Sequence, residues 1–137
     1  MIIDANNLIA GRLGTVAAKR ALLGEEVFIV NSEKAVITGS KKIILGKYAD
    51  QSKRGEPFHG PFLPKTPDRF LKRLIRGMLP YKQFKGLSAF KRIKCYSGVP
   101  EGFKDKKLET IEKANVLKMQ NLKYISVGML CKLLKQR

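Results

Sequence analysis

The run Val27-Phe28-Ile29-Val30 limits the possible fold more than any other stretch of the chain. It is of strand length, rich in β-branched residues and continuously apolar rather than alternating. Such patterning belongs to a strand covered on both faces, as in the parallel sheet of an α/β protein. The flanking segments supply what that sheet needs. Ile2-Ile3, ended by Asp4, reads as another buried strand, and Ala5-Asn6-Asn7 as a turn. A helix is expected from about Ala10 to Leu23, with Leu13, Val16, Ala17 and Leu22 toward the core. Lys19 and Arg20 suit its negative end, and Gly24 stops it. Asn31 to Lys34 forms a short helical turn or loop, and Val36-Ile37 a short strand ended by Thr38-Gly39. Ser40 can cap a second helix of about a dozen residues that turns Ile43, Ile44 and Tyr48 inward.

The sharpest amphipathic pattern follows a loop. Gly55, Pro57, Gly60, Pro61 and Pro64 break up residues 51–67, which read as an extended segment that gains order on binding. Beyond it Thr66 can cap, Pro67 suits the first helical position and Asp68 the positive helix start. Phe70, Leu71, Leu74, Ile75 and Met78 then cover one half of a helical cylinder, and Arg69, Lys72, Arg73 and Arg76 the other. Gly77 loosens the last turn near residue 79, and Pro80 forbids continuation. A short helix near Gly86–Lys91 and a strand over Ile93 to Tyr96 come next. Residues 101–121 are charged and weakly periodic. Ser126 can cap a last helix, with Met129, Leu130, Leu133 and Leu134 apolar and Lys132, Lys135 and Arg137 at its negative end. Strand, helix, strand, strand, helix, helix, strand is an α/β order. The 137 residues suit one domain without internal repeats.

Charge points to the partner. The chain holds 28 basic and 11 acidic side chains, a net of +17. Residues 1–40 are neutral, 41–94 carry +12 and 95–137 carry +5. Four cations on one helix face are in most proteins only a solvated surface. An excess spread over two helices, a loop and a turn answers a polyanion, with nucleic acid ahead of an anionic membrane. Membrane attachment is disfavoured because the apolar half of the 67–79 helix is needed for the core. With no zinc finger and no base-reading aromatic motif, recognition of backbone and shape is expected.

Other chemistries find little footing. Gly11-Arg12-Leu13-Gly14 follows a strand and opens a helix, the address of a phosphate-binding turn, and Glu33 lies where a ribose-binding acid could sit. The three-glycine spacing is missing, so packing at a helix start is the plainer reading. His59 is the lone histidine, with no cysteine near it, so no metal site of the usual spacing exists. No nucleophile elbow or carboxylate pair stands out. Cys95 and Cys131 read as two reduced thiols. The start lacks a basic leader, and no stretch approaches the roughly 20 apolar residues of a membrane span. The expectation is a soluble intracellular protein.

Several segments carry a resemblance when taken in order. Ile3-Asp4-Ala5 with Gly11-Arg12-Leu13 and Ala17-Ala18-Lys19 comes first, then Val30-Asn31-Ser32-Glu33 with Ile37-Thr38-Gly39-Ser40-Lys41. Most specific is Arg76-Gly77-Met78-Leu79-Pro80, followed by Lys82, Gly86, Ala89, Ile93-Lys94 and Gly98-Val99-Pro100. The chain resembles the universal large-subunit ribosomal protein numbered thirteen, in its archaeal and eukaryotic branch, over most of residues 2–103. It departs from that pattern at Gly14, Tyr81 and Gln83-Phe84.

The resemblance implies a three-layer α/β/α domain with a small, mainly parallel four-stranded sheet. It implies a protein embedded in large-subunit rRNA, supporting early subunit assembly and without catalytic activity. The reading is therefore a structural constituent of the large subunit in the cytoplasmic ribosome. It spans 1–137 as one domain, with a basic loop near 51–66 and a C-terminal extension near 101–137. Lys41, Lys42, Lys47, Lys53 and Arg54, then Arg69, Lys72, Arg73 and Arg76, then Lys82, Lys85, Lys91 and Lys94 are expected to neutralise phosphates. Gly77 and Pro80 are expected to shape a turn that lets backbone approach RNA. Neighbouring ribosomal proteins are further partners. No cofactor, metal, membrane, small-molecule substrate or homo-oligomer is expected. The competing reading is a nucleotide-dependent RNA-modifying enzyme built on the Gly11–Gly14 turn.

Overall fold

Val27, Ile29 and Val30 are fully buried, as their continuous apolar run requires. In a computed structural model of the chain, which describes residues 1–56, 58–120 and 123–136, they lie at the centre of a three-stranded sheet. The elements are β1 (Ile2–Asp4), α1 (Ala10–Leu22), β2 (Val27–Val30), β3 (Val36–Thr38), α2 (Lys41–Lys53), α3 (Pro67–Arg76), α4 (Phe84–Arg92), β4 (Ile93–Cys95), β5 (Tyr124–Ser126) and α5 (Val127–Lys135). Short 3-10 turns sit at Ser32–Lys34, Glu101–Phe103, Glu112–Ala114 and Val116–Lys118. Pro57 and Arg137, both singled out above, lie outside the described residues.

The sheet runs β1-β2-β4, all parallel, with Ile3 opposite Ile29 and Val27 opposite Ile93. Those four side chains are wholly buried and belong to one core with Leu13, Phe70, Leu71 and Ile75 of the helices. The opposite face is reached through Phe28, whose ring lies 5.1 Å from that of Phe103. A turn of the C-terminal extension therefore covers Phe28, and Phe103 in turn meets Tyr96 at 5.7 Å. The same extension protects the free edge of β1: Glu109 N–H donates to Ile2 O at 2.9 Å, and Asp4 N–H donates to Glu109 O at 3.0 Å.

The four foreseen strands do not share one sheet. β3 pairs antiparallel with β5, Ile37 facing Ile125 across the ladder. Both edges of β2 are taken by β1 and β4, and Asn31, at φ 55°, redirects the chain before β3 begins. Asp4 Oδ1 holds that corner by accepting from Asn31 Nδ2 at 2.9 Å. The architecture is mixed α/β, with a small parallel sheet and a separate two-stranded ribbon.

Helix faces follow the pattern with local corrections. On α1 the buried stripe is Leu13, Gly14, Ala17, Ala18 and Ala21, small residues that admit α3 and α4 closely. Leu22 falls beyond that stripe and is exposed, and Val16 is only half-buried. On α2, Ile44 is buried and the Tyr48 ring packs edge-on to Phe70 at 5.0 Å. Ile43, one residue earlier, is turned about 100° away and is 72% exposed. α3 stops at Arg76 rather than 79, leaving Met78 partly exposed beyond its end. Met129 of α5 is also exposed, while Leu130 and Leu134 are buried. Ser126 caps α5 by accepting from Met129 N–H at 3.3 Å. Ser40 and Thr66 occupy cap positions without a side-chain bond; only their backbone carbonyls accept, from Ile44 and Phe70.

Gly46 lies inside α2, and a Cβ placed there would meet nothing within 4 Å. Gly46→Ala is expected to stabilise the chain by about 0.8 kcal/mol through helix propensity alone. A thermal melt should show Tm raised by about 3 °C.

Candidate nucleic-acid interface

α3 carries the densest set of cations. Arg69, Lys72, Arg73 and Arg76 recur at i, i+3, i+4 and i+7, so they form one stripe, opposite buried Phe70, Leu71 and Ile75. The two central members are half-buried at their stems and fixed by neighbours. The Lys72 ammonium lies 4.9 Å from the centre of the Phe90 ring of α4. Arg73 donates to the Phe62 carbonyl, which ties the preceding loop to the helix. The Arg76 guanidinium lies 5.1 Å from the Tyr81 ring. These cation–π contacts hold the heads without neutralising them.

Lys94 of β4 lines one shallow cleft with Asp68, Arg69, Lys72, Cys95 and Tyr96, but its ammonium lies 5.3 Å from the Phe28 ring. Lys82 and Lys85 are exposed just beyond the α3 end, on the turn into α4 and in its first turn. Lys47 lies 5.8 Å from the ring of Tyr48, which itself touches Phe70 of α3. Lys41, Lys42 and Lys53 of α2, Arg54 after it and Lys91 of α4 are exposed. No contact among the described residues ties those five to the α3 stripe.

The four ion pairs among the described residues are Arg20–Glu25, Glu56–His59, Glu101–Lys104 and Glu112–Lys118. None uses any of the thirteen cations singled out from sequence. They are therefore in no ion pair among the described residues, and with Asp68 the one carboxylate lining their cleft, the excess charge draws counterions or a polyanion.

Gly77 and Pro80 have different roles from each other. Gly77 is exposed at the α3 cap in ordinary right-handed geometry, and a Cβ there would make only ordinary contact with Leu74 O at 3.5 Å. Pro80 closes a tight turn: its carbonyl accepts from Gln83 N–H at 2.9 Å and packs where a Cβ on Gly86 would have to go. Within the 51–66 loop, local hydrogen bonds join residues on either side of its tip. Glu56 and Gly60 exchange backbone hydrogen bonds of 2.9 and 3.3 Å, and His59 Nδ1 meets Glu56 Oε2 at 3.1 Å. Sequence reasoning missed the parts played by Phe62 and Phe90, because both depend on tertiary contacts that leave no local mark.

The Gly11–Gly14 segment does not form a phosphate loop. All four residues lie inside α1, and the connection from β1, residues 5–9, contains no glycine. The helix start is crossed by the C-terminal extension: Ile9 N–H donates to Ala114 O at 2.8 Å and Arg12 Nη1 to Lys113 O at 3.0 Å. Gly14 faces Met78, whose Sδ would lie 2.9 Å from an added Cβ, so its role is helix packing. Glu33 is occupied, accepting from Gly98 N–H at 3.0 Å. Both cysteines are free. Burial pushes the Cys95 thiol up to about 12 and the Cys131 thiol up to about 11, so neither supplies a thiolate near neutral pH.

Comparison with known proteins identifies the family. The model of the family described as ribosomal protein L13 matches residues 1–102. A protein named large ribosomal subunit protein uL13 from Methanosarcina barkeri is 50% identical over 128 residues, covering 93% of this chain and 91% of its own. Proteins of the same name from Methanococcoides burtonii and Picrophilus torridus are 45% and 43% identical, covering 93% and 96% of this chain and 91% and 94% of theirs. With the family pattern spanning the sheet and the basic helices, and identity at this level continuing into the C-terminal extension, the chain belongs to the ribosomal protein L13 family.

Proposed function

We propose that this chain is a structural protein of the large ribosomal subunit that binds large-subunit rRNA through the side bearing α2, α3 and α4 and supports early subunit assembly. In the cytoplasmic ribosome its neighbours are rRNA and other ribosomal proteins, and residues 1–137 work as one domain. The observation that carries the reading is the excess charge. Thirteen cations between residues 41 and 94 are in no ion pair among the described residues, in a chain whose relatives are named as large-subunit proteins. The Arg69–Arg76 stripe meets phosphates directly, Lys82 and Lys85 extend it, and Lys94, whose ammonium lies over Phe28, adds attraction from beside it. Lys41, Lys42, Lys47, Lys53, Arg54 and Lys91 add longer-range attraction. Gly77, small and exposed at the helix end, lets an RNA backbone come close, and Pro80 fixes the turn beside it. The role is structural rather than enzymatic, and nothing in α1 favours a nucleotide-dependent alternative.

The test is sedimentation of a lysate containing the tagged protein, with and without RNase, at moderate and high salt. Co-migration with large subunits that survives high salt and is lost with RNase is expected. Migration as a free monomer indifferent to RNase would overturn the proposal.

A further inference from the structure

We propose that Phe62, whose carbonyl is tied to Arg73 of α3, and Tyr81 and Phe84, which follow the C-terminal end of α3 in the chain, are stacking seats for unpaired RNA bases, an inference that rests on the rRNA-binding reading above. Single exposed apolar side chains are ordinary on protein surfaces. Three aromatic rings set among cations are a different matter. Phe84 is 85% exposed, Phe62 67% and Tyr81 41%. Phe70 is buried against Tyr48, and Phe90 is half-buried beneath Lys72; Tyr81 also has a cation over it, Arg76, but stays exposed. Phe58 is also exposed, but no hydrogen bond or ring contact among the described residues ties it to α3.

The cations set the arrangement. Arg73 holds the Phe62 carbonyl, and one turn on Arg76 lies over Tyr81. The Arg73 guanidinium thus lies against the backbone that carries Phe62 and the Arg76 guanidinium over the Tyr81 ring, and Lys82 and Lys85 stand near Phe84 in sequence. Single-stranded nucleic acid offers the complementary alternation of flat bases and phosphates. In folded RNA such bases occur in loops and bulges, where they can be splayed onto aromatic side chains. The platform is also rigid. Tyr81 N–H donates to Leu79 O at 2.8 Å, Gln83 N–H to Pro80 O at 2.9 Å and Leu87 N–H to Gln83 O at 3.0 Å. Gly86 closes the turn against Pro80. Little ordering is left to be done on binding. The positive surround favours RNA over an apolar pocket of a neighbouring protein.

The test measures affinity for a transcribed archaeal large-subunit rRNA across a salt series, first for the native protein and then for Phe62→Ala, Phe84→Ala and the pair. Each alanine is expected to weaken binding about tenfold at every salt concentration. The slope of log K against log salt should stay unchanged, because no phosphate contact is lost. Phe84→Trp is the second arm. The chain contains no tryptophan, so an indole there is the sole reporter of its kind. F84W should keep native affinity and lose fluorescence when RNA binds. Phe84 is solvent-facing, so thermal melts of its variants should match the native protein. Alanine variants that bind rRNA normally yet fail to enter subunits would place the rings in a protein pocket and overturn the proposal. A native protein that does not bind rRNA would instead overturn the reading on which it rests.

Discussion

Gly86→Ala should lower the melting temperature by about 10 °C. The cause is space rather than backbone conformation. Gly86 is buried in the first turn of α4, and an ideal Cβ there would lie 2.1 Å from the Pro80 carbonyl oxygen, 2.4 Å from its carbon and 3.0 Å from its Cγ. None of these is the loose end of a side chain. The carbonyl is held by Gln83 N–H, and the turn is braced behind it by buried Leu79. Relief requires α4 to move, yet α4 packs on α1 and runs without a break into β4, whose Ile93 is wholly buried. Overpacking against a fixed backbone costs about 3 kcal/mol, and a domain of this size loses some 3–4 °C per kcal/mol. Thermal unfolding followed by circular dichroism measures it. The opposite sign expected for Gly46→Ala, where nothing stands in the way, shows that a general preference for alanine in helices is not responsible. A melt within 1 °C of the native protein would mean that the Pro80 turn yields.

The contrast between those two glycines shows what a sequence reveals of this fold. Each interrupts a helical pattern in the same way, and only the distant Pro80 carbonyl tells them apart. What was legible is what local chemistry decides. Val27–Val30 announced a doubly covered strand, and the apolar and basic halves of Pro67–Arg76 announced a helix between core and solvent. The partner of β3 was not legible. It is Tyr124–Ser126, three residues lying some 86 positions away and following a segment without clear period. Nor was the guard on β1, because Glu109 does that work with its backbone, and main-chain hydrogen bonds leave no trace in side-chain patterning. Ile43 misled for a related reason. Adjacent isoleucines lie about 100° apart on a helix, and tertiary packing rather than sequence decided that only Ile44 is buried. At the candidate interface, counting charges singled out residues 41–94 as the basic part of the chain. Which cations cluster depended on Phe62, Tyr81 and Phe90, whose positions come from folding.

Reversing Arg73 and Arg76 to glutamate should cost about a hundredfold in rRNA affinity at 0.15 M salt, if the α3 stripe meets phosphates as proposed. Each neutralised phosphate contributes close to one unit to the slope of log K against log salt. Losing two contacts removes about thirtyfold in affinity at that ionic strength, and the repulsion of two new carboxylates supplies the rest. The salt slope should become shallower by about two. Net charge alone does not explain such a result. Lys132→Glu with Lys135→Glu, on the last turn of α5, changes the charge of +17 by the same amount on a helix outside the proposed surface. That control should bind within a few fold of the native protein and keep its slope. Equal losses in both double variants would show that the protein is held by its overall charge, and the stripe on α3 would lose its special place. Arg73 also tethers the Phe62 carbonyl, so a thermal melt accompanies the measurement. An exposed charge-assisted bond of this kind contributes about 1 kcal/mol or less after solvent screening. The double reversal should therefore fold almost as well as the native chain while binding far more weakly.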